Sequence, residues 1–337
     1  MKRTGEDMNQ YLEAISQAGT IAIIGHIRPD GDCVGSCLGM YNYIIDNYKN
    51  KQVDVYLGEF DTEFCFLNGA DQVLHQLQDG ITYDLCLALD CASRDRFGDF
   101  GIYYETAKVK AVIDHHASNT GYGDICLVQP QAAAACEAIY GILERDQIRV
   151  HCAEALYLGI VHDTGVFKHS NTTKDTMCIA GDLIALGAKP AEIIDRTFYS
   201  KSHKQNRILG QALLNSYMEL DGLCVVTCLQ KEVFDLYQAT SVDVDGVVDQ
   251  IRVTRGIEVA VFYYEYEPDT FKFSLRSNRY VDVSRIALQF GGGGHVRAAG
   301  FSLEGKAETV IRPVLEQIAL QLRSHGTDPD GMTDNRG

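Results

Sequence analysis

Three short apolar runs, "IAII" at 21–24, "LCLAL" at 85–89 and "KVKAVI" at 108–113, are each followed within a residue or two by groups that carry chemistry. The first leads to His26, the second to Asp90, and the third to Asp114, His115 and His116. Such runs lack the apolar–polar alternation of a strand with one wet face, so they read as strands buried on both sides. Helical spacing fills the intervals. Val34, Cys37, Leu38, Tyr41, Ile45 and Tyr48 form one stripe, and Met8, Tyr11, Leu12 and Ile15 form another ahead of the first strand. Strands alternating with helices make an α/β domain around a parallel sheet, with "VDVYL" at 53–57 as a further strand. In open parallel sheets functional groups collect beyond the carboxyl ends of the strands, so three distant segments are expected at one edge.

An isolated Asp-Gly-Asp is ordinarily a solvated turn, and a lone Asp after a strand is often a helix cap. The conjunction at three strand ends is what reads as a site. Within "HIRPDGD", residues 26–32, Asp30 and Asp32 straddle Gly31, so two carboxylates diverge from one tight loop and can serve two neighbouring cations. Asp90 is then placed to bridge. Imidazole nitrogen and carboxylate oxygen without thiolate suit Mn²⁺ or a similar ion better than a structural zinc site. Cys33 reads as a small residue packing the helix start rather than a ligand. Asp163 lies in the apolar stretch "YLGIVHDTGVFKHSNTT", where Gly165 also suits a helix C-terminal turn.

A chain of 337 residues exceeds a comfortable single core, and two domains are expected. Helices are expected to dominate 132–187, the last with Thr172 and Asp175 as a loose capping signal that reads as an ordinary helix start. Past "TFYSKSHKQNRILGQAL" the pattern changes to strands near 223–229, 257–265 and 270–276 and helices near 282–289 and 308–323. The expected division is a first domain at 1–190, a connector at 191–212, a smaller mixed α/β domain at 213–325 and a disordered tail at 326–337. No apolar run approaches the roughly 18 residues of a membrane span, and the N-terminus is polar, so no membrane is expected and the cytoplasm is the expected location. Eleven cysteines with no Cys-x-x-Cys pair fit neither a disulfide framework nor a zinc ribbon. The formal net charge of -16 argues against binding long duplex nucleic acid by a diffuse basic surface. A short anionic substrate is admitted if bound cations reverse the local sign of the carboxylate cluster.

The segments "HIRPDGD", "ALDCASRDRFG", "IDHHASN", "GIVHDTGVF" and "GGGGHVRAAGF" span residues 26–301, and together they resemble the DHH phosphoesterase superfamily. The two-domain length, "SLRSN" and the glycine run are similar to its nanoRNase/pAp phosphatase group, a DHH domain followed by a DHHA1 domain. The resemblance implies a parallel-sheet α/β DHH domain plus a smaller mixed α/β DHHA1 domain, with the active site in the interdomain cleft. It implies a hydrolase using two divalent metal ions, usually Mn²⁺. His26, Asp30 and Asp90 would hold one ion, and Asp32, Asp90, His115 and Asp163 the other. His116 would face the substrate phosphate as a hydrogen-bond or proton donor, and Asp114 would orient its neighbours. One departure is visible: "AAAACEAIY" at 132–140 replaces hydroxyl-bearing residues that many relatives show before the glutamate.

"GGGGH" at 291–295 precedes a helix-like "VRAAGF" and has no P-loop Lys-Ser/Thr after it. Glycine lets backbone N–H groups approach a phosphate closely, and the resemblance implies that role for Gly293, Gly294 and His295. Arg276 ends a predicted strand where its guanidinium can fork onto a phosphate, with Ser277 and Arg297 beside it as lesser candidates. The expected substrates are short oligoribonucleotides, linear dinucleotides such as pApA, or 3'-phosphoadenosine 5'-phosphate, cleaved by water that the metals activate. The alternatives are a manganese inorganic pyrophosphatase and a non-catalytic nucleotide sensor. Long single-stranded DNA exonucleases are a poorer match, and the sequence leaves a homodimer open.

Overall fold

The computed structural model describes residues 5–325; the stretch 326–337, expected to be a disordered tail, lies outside the described residues. Two compact units divide between Ser200 and Lys201, inside the expected connector. In the first unit, α1 (Gly5–Gln17) leads into β1 (Thr20–Ile24), followed by α2 (Gly31–Asn47), β2 (Gln52–Tyr56) and β3 (Leu85–Leu89). Then come α3 (Gly101–Thr106), β4 (Val109–Asp114), β5 (Ile125–Val128), α4 (Ala135–Tyr140), α5 (Val150–Asp163), α6 (Lys174–Ala185) and α7 (Pro190–Ile194).

The five strands form one parallel sheet in the order β2-β1-β3-β4-β5. Ile21 and Ile23 enter a core with α2, α4 and α5, while Ala22 and Ile24 enter a second core rich in tyrosine on the opposite face. Both faces are therefore covered, which explains the unbroken apolar runs. The register pairs Ile24 with Ala88 and Leu89 with Ile113, so the segments after β1, β3 and β4 leave the sheet at the same edge. The short apolar run "ICLV", which the sequence reading does not assign, forms the half-buried edge strand β5.

The expected connector is helical. α7 runs into a single wide turn at Asp195–Tyr199, and Ser202 with Gln205 forms a reciprocal capping box at the start of α8 (His203–Leu214). The cap of α6 is Thr173 paired with Thr176, one residue beyond the Thr172 signal.

The second unit continues with β6 (Tyr217–Glu219), β7 (Cys224–Leu229), α9 (Lys231–Tyr237), α10 (Val247–Arg252), β8 (Val259–Glu267) and β9 (Thr270–Ser277). It ends with α11 (Val283–Gln289), β10 (Gly293–His295), β11 (Ala298–Glu304) and α12 (Ala307–His325). Its mixed sheet runs β10-β11-β9-β8-β7-β6, with β7 and β8 parallel and the other pairs antiparallel. Val259, Val261 and Tyr263 face one core and Ala260, Phe262 and Tyr264 another, the period of two expected of a sheet buried on both sides.

The helix-like reading of "VRAAGF" is corrected here: Ala298–Glu304 is a strand, and the glycine run forms its hairpin partner. The alanines carry helical propensity, but pairing with β9 over seven registered positions overrides it. Gly294 has a φ of 143°, and a Cβ there would lie 2.4 Å from the Ala298 carbonyl oxygen, so this position in β10 admits no side chain.

Candidate metal centre

Two helix termini and three strand ends deliver the side chains. Asp30 caps α2, its Oδ1 accepting hydrogen bonds from the backbone N–H groups of Asp32 and Cys33 at 3.1 Å each. Asp32 follows in the first turn, and its two carboxylate oxygens accept from the N–H groups of Ala135 at 2.6 Å and Cys136 at 3.0 Å, at the start of α4. The alanine-rich departure therefore does its work through the main chain, for which no hydroxyl is required. Asp163 is the last residue of α5. His26, Asp90 and His115 come from the segments that leave β1, β3 and β4.

These groups meet. His115 Nε2 lies 3.0 Å from Asp163 Oδ2, 3.6 Å from Asp90 Oδ1 and 3.8 Å from Asp32 Oδ2. His26 Nε2 lies 3.5 Å from Asp90 Oδ2 and 3.7 Å from Asp30 Oδ1. Asp90 thus stands between the two imidazoles, one oxygen toward each. His26 Nδ1 donates to the Ile27 carbonyl oxygen at 2.8 Å, which fixes the ring with Nε2 turned toward the carboxylates. The groups able to share an ion are Asp32, His115 and Asp163; Asp90, His115 and His116; and His26, Cys33 and Asp90. The last brings in a sulfur that the sequence reading assigned to packing.

The electrostatics are those of charges gathered in a buried place. Burial and the neighbouring Asp90 and Asp163 carboxylates push Asp32 well above the usual carboxylate range, and burial also raises Asp90. Burial opposes protonation of His115, but Asp163, Asp32 and Asp90 outweigh it and raise the imidazole to about 10. Burial likewise opposes protonation of His26, and Asp30 and Asp90 outweigh it. Asp30, whose side chain is largely exposed, sits at about 2, because partial desolvation is outweighed by His26 and the capped N–H groups of Cys33 and Asp32. Asp90 is 2% exposed, and its Oδ1 has no hydrogen-bond partner. An orphaned buried carboxylate oxygen beside two imidazoles fits a cation-binding role, and the nitrogen and oxygen donors suit a divalent ion.

Beside this cluster His116 is 42% exposed, with Nδ1 at 2.8 Å from Asp114 Oδ1. Asp114 is fully buried and is gripped from its other oxygen by Asn119 Nδ2 at 2.7 Å. Asp114 raises the His116 pKa against the effect of burial, while His116 and Asn119 overcome burial to lower Asp114.

The sequence reading gives His162 no role. Its ring lies against Phe64 and Phe198, with centroids at 5.1 and 4.6 Å, and a Cβ on Gly31 would fall 2.2 Å from its Cγ. The signal was present: Ala155, Gly159 and His162 follow helical spacing on α5 and meet Gly35 and Gly31 of α2.

In the second unit, cross-strand register sets Arg276, Ala298 and His295 in one row across β9, β11 and β10. Residues in one row share a face, so the small Ala298 leaves room between the guanidinium and the imidazole. Arg276 Nε donates to Asp249 Oδ1 at 3.1 Å. Gly293, Gly294 and His295 are exposed. Ser277 is buried and donates its hydroxyl to the Val281 carbonyl at 2.6 Å, and Arg297 Nη1 donates to the same carbonyl at 2.9 Å. Both of these side chains are engaged within the fold.

No helix among the described residues is long and apolar enough to cross a membrane. Residues 20–160 match the model of the DHH family N-terminal domain, and residues 227–321 that of the DHHA1 domain. The chain is 31% identical over 324 residues to the bifunctional oligoribonuclease and PAP phosphatase NrnA of Thermus thermophilus, covering 94% of each chain. It is 29% identical to the Bacillus subtilis protein of the same name, covering 87% of this chain and 92% of that one. Among solved structures, an exopolyphosphatase-related protein from Bacteroides fragilis shares the fold with a TM-score of 0.80 at 24% identity, over 96% of this chain and 98% of that one. Matches that run through both units, on a chain whose carboxylates and imidazoles converge at one sheet edge, place this protein in the DHH family with a DHHA1 domain, as a hydrolase of phosphate esters.

Proposed function

We propose that this hydrolase uses two divalent cations, with Mn²⁺ the expected metal, to cleave short oligoribonucleotides, linear dinucleotides such as pApA, and 3'-phosphoadenosine 5'-phosphate. The observation that carries the reading is Asp90, a buried carboxylate with an unpartnered oxygen, standing between His26 and His115. The names of the Thermus thermophilus and Bacillus subtilis relatives support the substrate class. His26, Asp30 and Asp90 hold one ion, and Asp32, Asp90, His115 and Asp163 the other. When bound, the cations supply an activated water and neutralise charge on the phosphoryl oxygens.

The chain's own groups orient and complete the reaction. Asp114, fixed by Asn119, holds the His116 ring through Nδ1 and favours its protonated form, so Nε2–H is available to donate to a phosphate oxygen or to the leaving oxygen. The half-exposed position of His116 suits a group that must meet substrate. In the second unit Arg276, His295 and the exposed backbone of Gly293 and Gly294 recognise a terminal phosphate or nucleotide, with Asp249 aiming Arg276. Ser277 and Arg297 support that surface by holding the Val281 carbonyl.

A time course with Mn²⁺ comparing pApA, a five-nucleotide RNA, 3'-phosphoadenosine 5'-phosphate and pyrophosphate tests the proposal. Nucleotide or phosphate release is expected from the first three, abolished in Asp90→Ala and His115→Ala, with His116→Ala slowing kcat by about 10²–10⁴-fold. Turnover of pyrophosphate alone would make the chain a pyrophosphatase, and tight binding without turnover would make it a sensor.

A further inference from the structure

Glu137 lies in the first turn of α4 with its side chain buried, a place where a carboxylate is costly unless hydrogen bonds replace its water. Its Oε2 accepts from the Ala133 N–H at 3.1 Å and from the Thr176 hydroxyl on α6 at 3.0 Å. Ala134, the N-cap of α4, has no side-chain oxygen to offer, so the backbone entering this helix is held by Glu137 from within and by Asp32 from outside. The same segment, 132–136, meets three groups of the metal centre. His115 Nδ1 donates to the Ala132 carbonyl at 3.4 Å. Ala135 and Cys136 supply the N–H groups that grip Asp32. Asn171 Nδ2 donates to the carbonyls of both Ala133 and Asp163 at 3.1 Å each, which ties the segment to the end of α5.

We infer that Glu137 is a positioning residue for the metal centre: with Thr176 it fixes the 132–136 segment, whose main-chain groups aim His115 and Asp32 and, through Asn171, Asp163. The inference rests on the metal-dependent reading of the site. Glu137 acts here without touching a cation, by the orientation it gives to groups that do. Thr176 is itself fixed, since its N–H and hydroxyl close the capping box of α6 with Thr173, so α6 is the post to which the segment is tied. Without the carboxylate, the buried Ala133 N–H and the Thr176 hydroxyl both lose their acceptor, and the segment shifts to find others. Ligands that no longer point inward must then be ordered by the ion as it binds, which weakens binding.

Calorimetric titration of Mn²⁺ into the full-length, metal-stripped protein, beside thermal melts of the metal-free form, separates aiming from stability. Glu137→Ala is expected to weaken Mn²⁺ binding by about 10–100-fold, and Thr176→Val by on the order of tenfold. Glu137→Gln and Thr176→Ser, which keep the accepting oxygen and the donating hydroxyl, should restore wild-type affinity. The double variant Glu137→Ala/Thr176→Val should bind no more weakly than Glu137→Ala alone, since the two groups act as a unit. Asn42→Ala removes buried hydrogen bonds to the Leu38 and Asn68 carbonyls, away from the segment, and should lower the melting temperature with Mn²⁺ affinity unchanged. If Glu137→Ala does not fold, the Val and Ser variants of Thr176 decide alone. Wild-type affinity in Glu137→Ala or Thr176→Val, no recovery in the conservative variants, or an equal loss in Asn42→Ala overturns the positioning role and leaves the metal-dependent reading standing. A wild type that binds no Mn²⁺ overturns both.

Discussion

His162 shows what a single side chain contributes when it is neither ligand nor ordinary core. Its ring fills the space between Phe64, Phe198 and the glycine at the start of α2, and its Nε2 is buried without a partner. Burial holds its pKa down to about 4. An unfolded imidazole titrates near about 6.5, so between those values the unfolded chain takes a proton that the folded chain refuses, and stability falls as the pH falls through that window. At about 1.4 kcal/mol per pKa unit the effect is on the order of 3 kcal/mol. His162→Phe keeps the ring and removes the titration. Denaturant unfolding of the chelator-treated proteins should therefore favour the variant progressively as pH drops from about 6.5 to about 4; parallel curves would overturn the argument. Residue identities at the centre were readable because each ended an apolar run, as with His26, Asp90 and His115. His162 was hidden because it sits beside Asp163 in an apolar helix, where its packing partners come from α2 and the Phe198 turn.

The helix pair α2 and α5 explains how carboxylates from the beginning of one element and the end of another reach each other. Gly31, Gly35 and Gly39 recur every fourth residue on α2 and face α5, the closest approach to its backbone being a Cβ built on Gly35 at 2.5 Å from the Ala155 carbonyl oxygen. That partner is backbone and cannot swing aside, so the helices must separate if Gly35 gains a methyl group. Separation would move Asp32 away from Asp163. Alanine in a helix is worth about 1 kcal/mol more than glycine, whereas overpacking costs about 1–3 kcal/mol. Gly35→Ala should therefore destabilise by up to about 2 kcal/mol and weaken Mn²⁺ binding, read by thermal melts and calorimetric titration. Gly181→Ala on α6, where a Cβ meets nothing within 4 Å, is the control and should stabilise by up to about 1 kcal/mol with unchanged Mn²⁺ binding. A Gly35→Ala protein as stable as wild type would remove the close approach from the account. The spacing of these glycines is visible in the sequence, but it carries meaning only once α5 is known to lie opposite. The β10–β11 hairpin was obscured for a related reason: glycine and alanine have no alternation to display, and pairing with β9 decides the conformation.

The change of pattern after residue 190 was legible because each unit has its own cores and its own sheet. The boundary residue was not, since the linking segment is made of capped helices whose sequence resembles those on either side. Two sets of cores make a single unfolding step the wrong expectation for this chain. The carboxylate and imidazole cluster belongs to the first unit, so a cation that binds it stabilises that unit's native state, and among the described residues no such cluster falls in the other. At a free concentration 100 times the dissociation constant, the gain is about 2.7 kcal/mol. Guanidinium unfolding of the full chain should show two transitions, and Mn²⁺ should move one to higher denaturant while leaving the other in place. Asp90→Ala should abolish the movement without altering the insensitive transition. A single transition that Mn²⁺ shifts as a whole would mean that the two sets of cores unfold as one cooperative body.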